Sequence, residues 1–280
     1  MRRLIVNADD FGLNAAANAG IIECHQAGSV TSTTLMANGE AFAEAVALAK
    51  DNPGLGVGLH FNLSWGRPVS EPARIPALVD DRGCFHSRGE LARRSLLGRL
   101  PREQVELELD AQLGKLRVHG IEVTHIDSHQ HVHAFGPVFA AVATRCEREG
   151  LPMRVPWVAR EEGTRLKRRL RRSVLALLLR RSVACWRGRV RWNDGLGSVF
   201  DIGANGQALA ADDYRRVLSA GSAEVFELMV HPVLSASAME GYTRVGPVAE
   251  AEYRWLRTGE LARLAEDLGF RLCSYRDLRA

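Results

Sequence analysis

The sequence predicts an α/β barrel of parallel strands, and three observations predict it. Short apolar or β-branched runs alternate with longer segments of helical period, the pattern of parallel strands joined by crossover helices. The alternation continues through 280 residues with no linker-like stretch, a length at which α/β barrels commonly form one domain. Polar residues able to do chemistry recur where the strand-like runs end, the face on which barrel enzymes build their sites. A single domain over 1–280 is expected.

The elements follow in order. "RLIVNA" at 3–8 is an apolar strand that runs into Asp9 and Asp10, and a helix is expected over 14–27. "VTSTTLM" at 30–36 is rich in β-branched residues and leads to a helix over 40–51. "GVGLHF" at 56–61 is a third strand with His60 inside it. Residues 64–100 mix Gly, Pro and polar residues with little period and predict a long connecting excursion. A helix over 102–118, the strand "EVTHID" at 122–127, a helix over 137–149 and the strand "MRVP" at 153–156 come next. Helices are then expected over 165–181 and 211–219, the strand "VFELMV" over 225–230, a helix over 249–268 and a last strand over 270–274.

Composition narrows the class. With 46% hydrophobic and 25% charged residues the chain can form a sizeable core. The start "MRRLIV" lacks the apolar length of a signal peptide, and "VLALLL" at 174–179 falls far short of the roughly 20 residues that span a bilayer. A cytoplasmic, soluble protein is expected. The five cysteines include no C-x-x-C pair, so neither a disulfide framework nor a zinc ribbon is predicted. The net charge of +4 is local: residues 165–192 carry 11 Lys/Arg and no Asp/Glu, leaving 26 basic against 33 acidic residues elsewhere. General polyanion binding is therefore not expected, and no nucleic-acid partner is predicted.

Four strand ends carry the candidate chemistry. "HIDSHQHVH" at 125–133 holds four of the nine histidines together with Asp127, a density that points to a divalent metal, since imidazole and carboxylate together suit zinc and related ions. Their side chains cannot all converge on one ion. His60 lies near the same barrel mouth and offers a further ligand. Asp9 and Asp10 repel one another unless one meets a cation, leaving the other to take a proton; the alternative makes one of them the cap of a helix starting near Asn14. His231, at the end of "ELMVHP", suits a general acid because imidazole titrates near neutrality. Together these pieces describe metal-assisted hydrolysis. An amidohydrolase-type barrel is the nearest rival, but its H-x-H pair belongs to the first strand and here lies in mid-chain. A non-catalytic sugar-binding barrel would need neither metal nor paired acid and base.

The chain resembles the YdjC-like carbohydrate deacetylases. "NADDFG" with Asn18 and "GII" at 20–22, "VTSTTLM", "GVGLHFNL" with "GRPV", "HIDSHQHVH", "MRVP" and "LMVHP" carry the resemblance. It implies a distorted TIM-like barrel that removes the acetyl group from the nitrogen of an acetylated amino sugar. It also implies that Asp10, His60 and His129 bind one divalent ion, zinc first and Mg²⁺, Mn²⁺ or Co²⁺ as alternatives, that Asp9 is the base, that His231 protonates the departing amine and that Arg154 orients or pairs with the base. Gln130 stands where a histidine is frequent, and "HPV" where His-Pro-Gly is usual, which bears on the shape of the sugar pocket.

The basic segment bears on the substrate. Leu166, Leu170, Val174, Leu177 and Leu178 share one helical stripe with arginines crowded around it. An ordinary barrel helix with a solvated basic back goes with a soluble chitooligosaccharide. A helix lying on an anionic membrane goes with a lipid-linked acetylglucosamine, as in hopanoid-associated members that the sequence also resembles. A homodimer is a further implication of the resemblance.

Overall fold

A computed structural model describes residues 1–157, 176–177, 179–220 and 222–279. Its centre is β1 (Arg2–Phe11), buried continuously from Leu4 to Phe11. Burial on both faces is what a central parallel strand requires, and it explains why "LIV" is followed by residues that cannot be solvated surface. The other strands are β2 (Ser32–Leu35), β3 (Gly56–Phe61), β4 (Ile126–Ser128), β5 (Gly195–Gly197), β6 (Val225–Val230) and β7 (Phe270–Cys273).

All pairings between these strands are parallel, in the order β4-β3-β2-β1-β6-β5. The strand β1 has three partners, because β7 pairs with its first half, Arg2 to Ile5, and β2 with its second, from Asn7 onward. Met153 bridges Ile126 of β4 on one side and Trp192 on the other, drawing the outer edges of the sheet toward closure. The result is the expected α/β architecture, a curled parallel sheet flanked by helices in the manner of a distorted TIM-like barrel.

Among the described residues the helices are α1 (Ala15–Gln26), α2 (Phe42–Asp51), α3 (Arg88–Leu96), α4 (Arg102–Val118), α5 (Gly136–Glu149), α6 (Ala211–Ser219), α7 (Gly246–Leu256) and α8 (Glu260–Asp267), and residues 176–177 and 179–186 are also helical. Several depart from expectation for physical reasons. The helix expected over 249–268 is two helices, separated where Gly259 adopts φ +76°; a methyl group there would lie 2.7 Å from the Ala27 carbonyl oxygen. The strand expected at 153–156 is reduced to the Met153 bridges, since Pro152 and Pro156 on either side have no N–H to give to a ladder. The excursion at 64–100 contains α3 and a 3-10 turn, Pro72–Arg74. It is pinned by buried Glu108 of α4, whose carboxylate accepts from the Val69 and Ser70 amides at 2.9 Å each. The short strand β5 was not expected, because two glycines in three residues give no strand signal. Of the basic segment at 165–192 and the helix expected over 165–181, residues 165–175 and 178 lie outside the described residues. Among the described residues no helix is long and apolar enough to cross a membrane.

Candidate active site

The two adjacent aspartates are the first thing the fold resolves. Neighbouring residues of a strand point to opposite faces, so Asp9 and Asp10 should diverge. They do not, because the pairing of β1 with β2 slips by one residue: Ala8 faces Thr33 while Phe11 faces Leu35. The extra residue is accommodated by Asp10 at φ +69°, a left-handed conformation uncommon outside glycine and tolerated best by Asp and Asn. Both carboxylates thus reach one site and are 4% and 5% exposed. Neither caps α1. That role belongs to Asn14, whose side chain accepts from the Ala17 amide at 2.9 Å.

Asp10 meets the two histidines expected with it. Its Oδ1 lies 3.2 Å from His60 Nε2 and 3.0 Å from His129 Nδ1, with all three residues buried. His60 is oriented from behind: Asp127 Oδ1 is 2.7 Å and Thr34 Oγ1 2.9 Å from its Nδ1. A ring nitrogen held by a carboxylate leaves the other for a metal and fixes the tautomer. Burial works against a charge on His60, but Asp127, Asp10 and Asp9 outweigh it and push its pKa up to about 10. Two imidazoles and a carboxylate converging within 4.8 Å fit a zinc-type ion with open positions for water and substrate. Asp9, His60 and Asp127 also converge, but both oxygens of Asp9 and Oδ2 of Asp127 are already engaged by a guanidinium, and Asp127 Oδ1 by His60.

That guanidinium is Arg154, fully buried. It grips Asp9 with two parallel bonds, Nη1 to Oδ2 at 2.7 Å and Nη2 to Oδ1 at 2.6 Å. It also reaches Asp127 Oδ2 at 2.8 Å and Glu227 Oε1 at 2.7 Å. Asn7 Nδ2 donates to Asp9 Oδ1 at 2.9 Å. Burial disfavours the ionised form of Asp9, yet Arg154, then His60 and His231, hold its pKa far below the usual carboxylate range. Asp9, Asp127 and Glu227 place three buried carboxyl groups on Arg154, and Asp10 adds a fourth beside His60 and His129. Buried negative charge of this kind calls for compensation beyond Arg154, and the Asp10, His60 and His129 cluster could hold a divalent cation that would add to it.

His231 stands on the other side of Asp9. Its Nε2 is 3.9 Å from Asp9 Oδ2, and the ring edge packs on Phe200 with centroids 5.7 Å apart. Its backbone N–H donates to Glu252 Oε2 at 2.8 Å. The structure therefore brings together all six residues expected at the site: Asp9, Asp10, His60, His129, Arg154 and His231.

The rest of the histidine cluster divides. His125 is a structural residue, stacked on Tyr275 at 3.9 Å and bonded to Asn7 Oδ1 at 3.0 Å, with its pKa pulled down by burial and by the Arg154 charge. His133 is likewise buried and bonded through Nδ1 to the Ser128 hydroxyl. Gln130 and His131 are held at φ +53° and +55°, and with Asp10 they are the non-glycine residues of positive φ among those described. All three border the site, where backbone strain tends to concentrate. Sequence reasoning left Asp127 without a role and passed over Asn7, Thr34, Glu227 and Glu252. A charged residue within the apolar run "VFELMV" was the one signal that could have found Glu227.

The chain is similar to known proteins along nearly its whole length. The family model for YdjC-like protein matches residues 3–267. A carbohydrate deacetylase of Brevibacillus brevis is 35% identical over 277 residues, covering 99% of each chain. A chitooligosaccharide deacetylase of Enterobacter sp. is 34% identical and covers 98% of each. A crystal structure of an Enterococcus faecalis V583 protein, named for cellobiose-phosphate cleavage, superposes with a TM-score of 0.75 at 26% identity over 100% of this chain and 99% of that one. The chain belongs to the YdjC-like family.

Proposed function

We propose that the protein is a metal-dependent carbohydrate N-deacetylase that hydrolyses the acetamide of an acetylated amino sugar, with a chitooligosaccharide as the substrate class. The observation that carries the reading is the convergence of Asp10, His60 and His129 beside an arginine-clamped Asp9 and a histidine at 3.9 Å from it. The names of the full-length relatives support the reaction class.

Asp10, His60 and His129 would hold a divalent ion, which when bound would supply Lewis acidity toward water and the acetyl carbonyl. Asp9 accepts the proton that the attacking water loses as its oxygen bonds to the carbonyl carbon. His231 donates a proton to the sugar nitrogen, the C–N bond breaks, and the products are acetate and the free amine. The Arg154 clamp keeps Asp9 charged and fixed at some loss of basicity, so orientation carries much of its contribution. Two nitrogen ligands and one oxygen favour zinc, while the open positions also admit Mg²⁺, Mn²⁺ or Co²⁺.

The test is acetate release from N-acetylglucosamine, N,N′-diacetylchitobiose and longer N-acetylated chitooligosaccharides, after chelation and after each ion is restored. Activity that is lost on chelation and returns with one ion is expected. Failure of the metal-loaded protein to deacetylate any of these sugars would sink the reading.

A further inference from the structure

Behind His231 lies a carboxyl group that the reaction above does not use. Glu252 sits on α7 and is fully buried. Its Oε2 accepts the His231 backbone N–H at 2.8 Å and lies 3.9 Å from the ring nitrogen Nδ1. Among the described residues Oε1 has no hydrogen-bond partner, and neither has His231 Nδ1. Two buried polar atoms without partners, on groups in contact, are a costly arrangement for a fold to keep. The opposite ring nitrogen, Nε2, faces Asp9. The imidazole thus stands between a carboxyl on its inner side and the reacting groups on its outer side.

We propose that Glu252 is a positioning residue for His231, and that the two share one proton across the Nδ1 side. With the proton on Glu252, the carboxyl would donate to Nδ1 as the 3.9 Å gap between them closes; with the proton on the ring, the carboxylate would accept from it. In both arrangements Nε2 keeps its N–H and aims it toward the site. When Nε2 gives its proton to the leaving amine, Nδ1 takes or retains the shared one, so the ring ends neutral and Glu252 ionised. A proton from solvent then restores the pair. Among the described residues, the groups facing His231 are Asp9 from β1, Glu252 from α7 and the Phe200 ring, with buried His131 close enough to interact through charge. Those facing Glu252 are His231, with Asp9 beyond it, Tyr214 of α6 and Cys24 of α1. Burial pushes the Glu252 carboxyl up to about 8, which keeps a proton available on the inner side of the ring near neutrality.

The inference rests on the deacetylase reading for its kinetic arm, and a second arm is independent of that reading. Glu252→Gln keeps the size and the acceptor for the His231 amide but cannot give up or take a proton. In the metal-loaded enzyme we expect kcat to fall at least tenfold with KM nearly unchanged, and the alkaline limb of the kcat profile to move down by about one pH unit. Glu252→Asp should recover part of both. In the second arm, ¹⁵N NMR of the ring follows protonation of His231 without substrate; the wild-type ring should keep its proton to higher pH than the ring in the Glu252→Gln variant does. A pH profile and ring titration that superpose on wild type overturn the proposal, as does equal loss in kcat and metal content. A wild-type protein inactive on every acetylated sugar would remove the reaction while leaving the NMR comparison to decide the pairing.

Discussion

At the scale of single residues, the site separates two carboxylates that are neighbours in the chain. Asp10 faces His60 and His129, and Asp9 faces Arg154 and His231. Asp9→Asn should therefore keep stoichiometric metal by elemental analysis while kcat falls roughly 10²–10⁴-fold, the range of a lost proton-transfer group. His129→Ala should instead lose the metal, and activity with it. An Asp9→Asn enzyme with near-normal kcat would end the assignment of the base. Arg154 poses a different question, since it bridges Asp9, Asp127 and Glu227 with a planar fork. Lysine carries the charge but not the fork. Arg154→Lys should retain a folded protein and lose on the order of 100-fold in kcat, because Asp9 is no longer fixed. Asp9, Asp10, His60 and His231 were legible because each ends or lies in an apolar strand run, whereas His129 and Arg154 were singled out by the family resemblance. Asp127 and Glu252 were not, because their roles depend on which side chain lies behind which, and that is a property of the assembled barrel.

At the scale of elements, the turn of both carboxylates into one site depends on a bulge. The sequence showed the repulsion between Asp9 and Asp10 but not its resolution, since a one-residue slip in the β1–β2 register leaves no trace in residue type. The β3–β4 contact constrains the candidate metal ligand His60. Gly58 in β3 leaves no room for a side chain: a methyl group would lie 2.5 Å from the His125 ring and 2.7 Å from its carbonyl oxygen. Backbone cannot yield as a flexible side chain can, so Gly58→Ala must push β3 from β4, two residues from His60. A loss of about 1–3 kcal/mol is expected from such overpacking, read as a lower urea midpoint, together with weaker metal retention on dialysis. Full retention of both would show that the strands separate without disturbing the ligands. Helix ends were less legible than strands: the apolar period runs on past Leu256, and only the conformation of Gly259 reveals the break.

At the scale of the whole molecule, the buried ionisable groups make stability depend on pH in a direction that can be worked out. Glu252 has an ordinary carboxyl pKa of 4.5 when exposed and about 8 in the folded chain, burial being the main cause, only partly offset by the His231 amide. Below 4.5 both states hold the proton and the group contributes no slope. Between 4.5 and 8 the unfolded chain has lost the proton while the folded chain retains it, so folding takes up a proton and stability falls as pH rises. Above 8 both are ionised and the loss is complete. Glu252→Gln abolishes this slope. Urea unfolding of wild type and variant at pH 5 and pH 9 should therefore show the variant gaining on wild type by a few kcal/mol at the higher pH, while its kcat is the lower of the two. Greater stability with less activity is the signature of a buried acid retained for its proton, and a stability difference that is the same at both pH values would show that Glu252 titrates no differently in the fold than out of it.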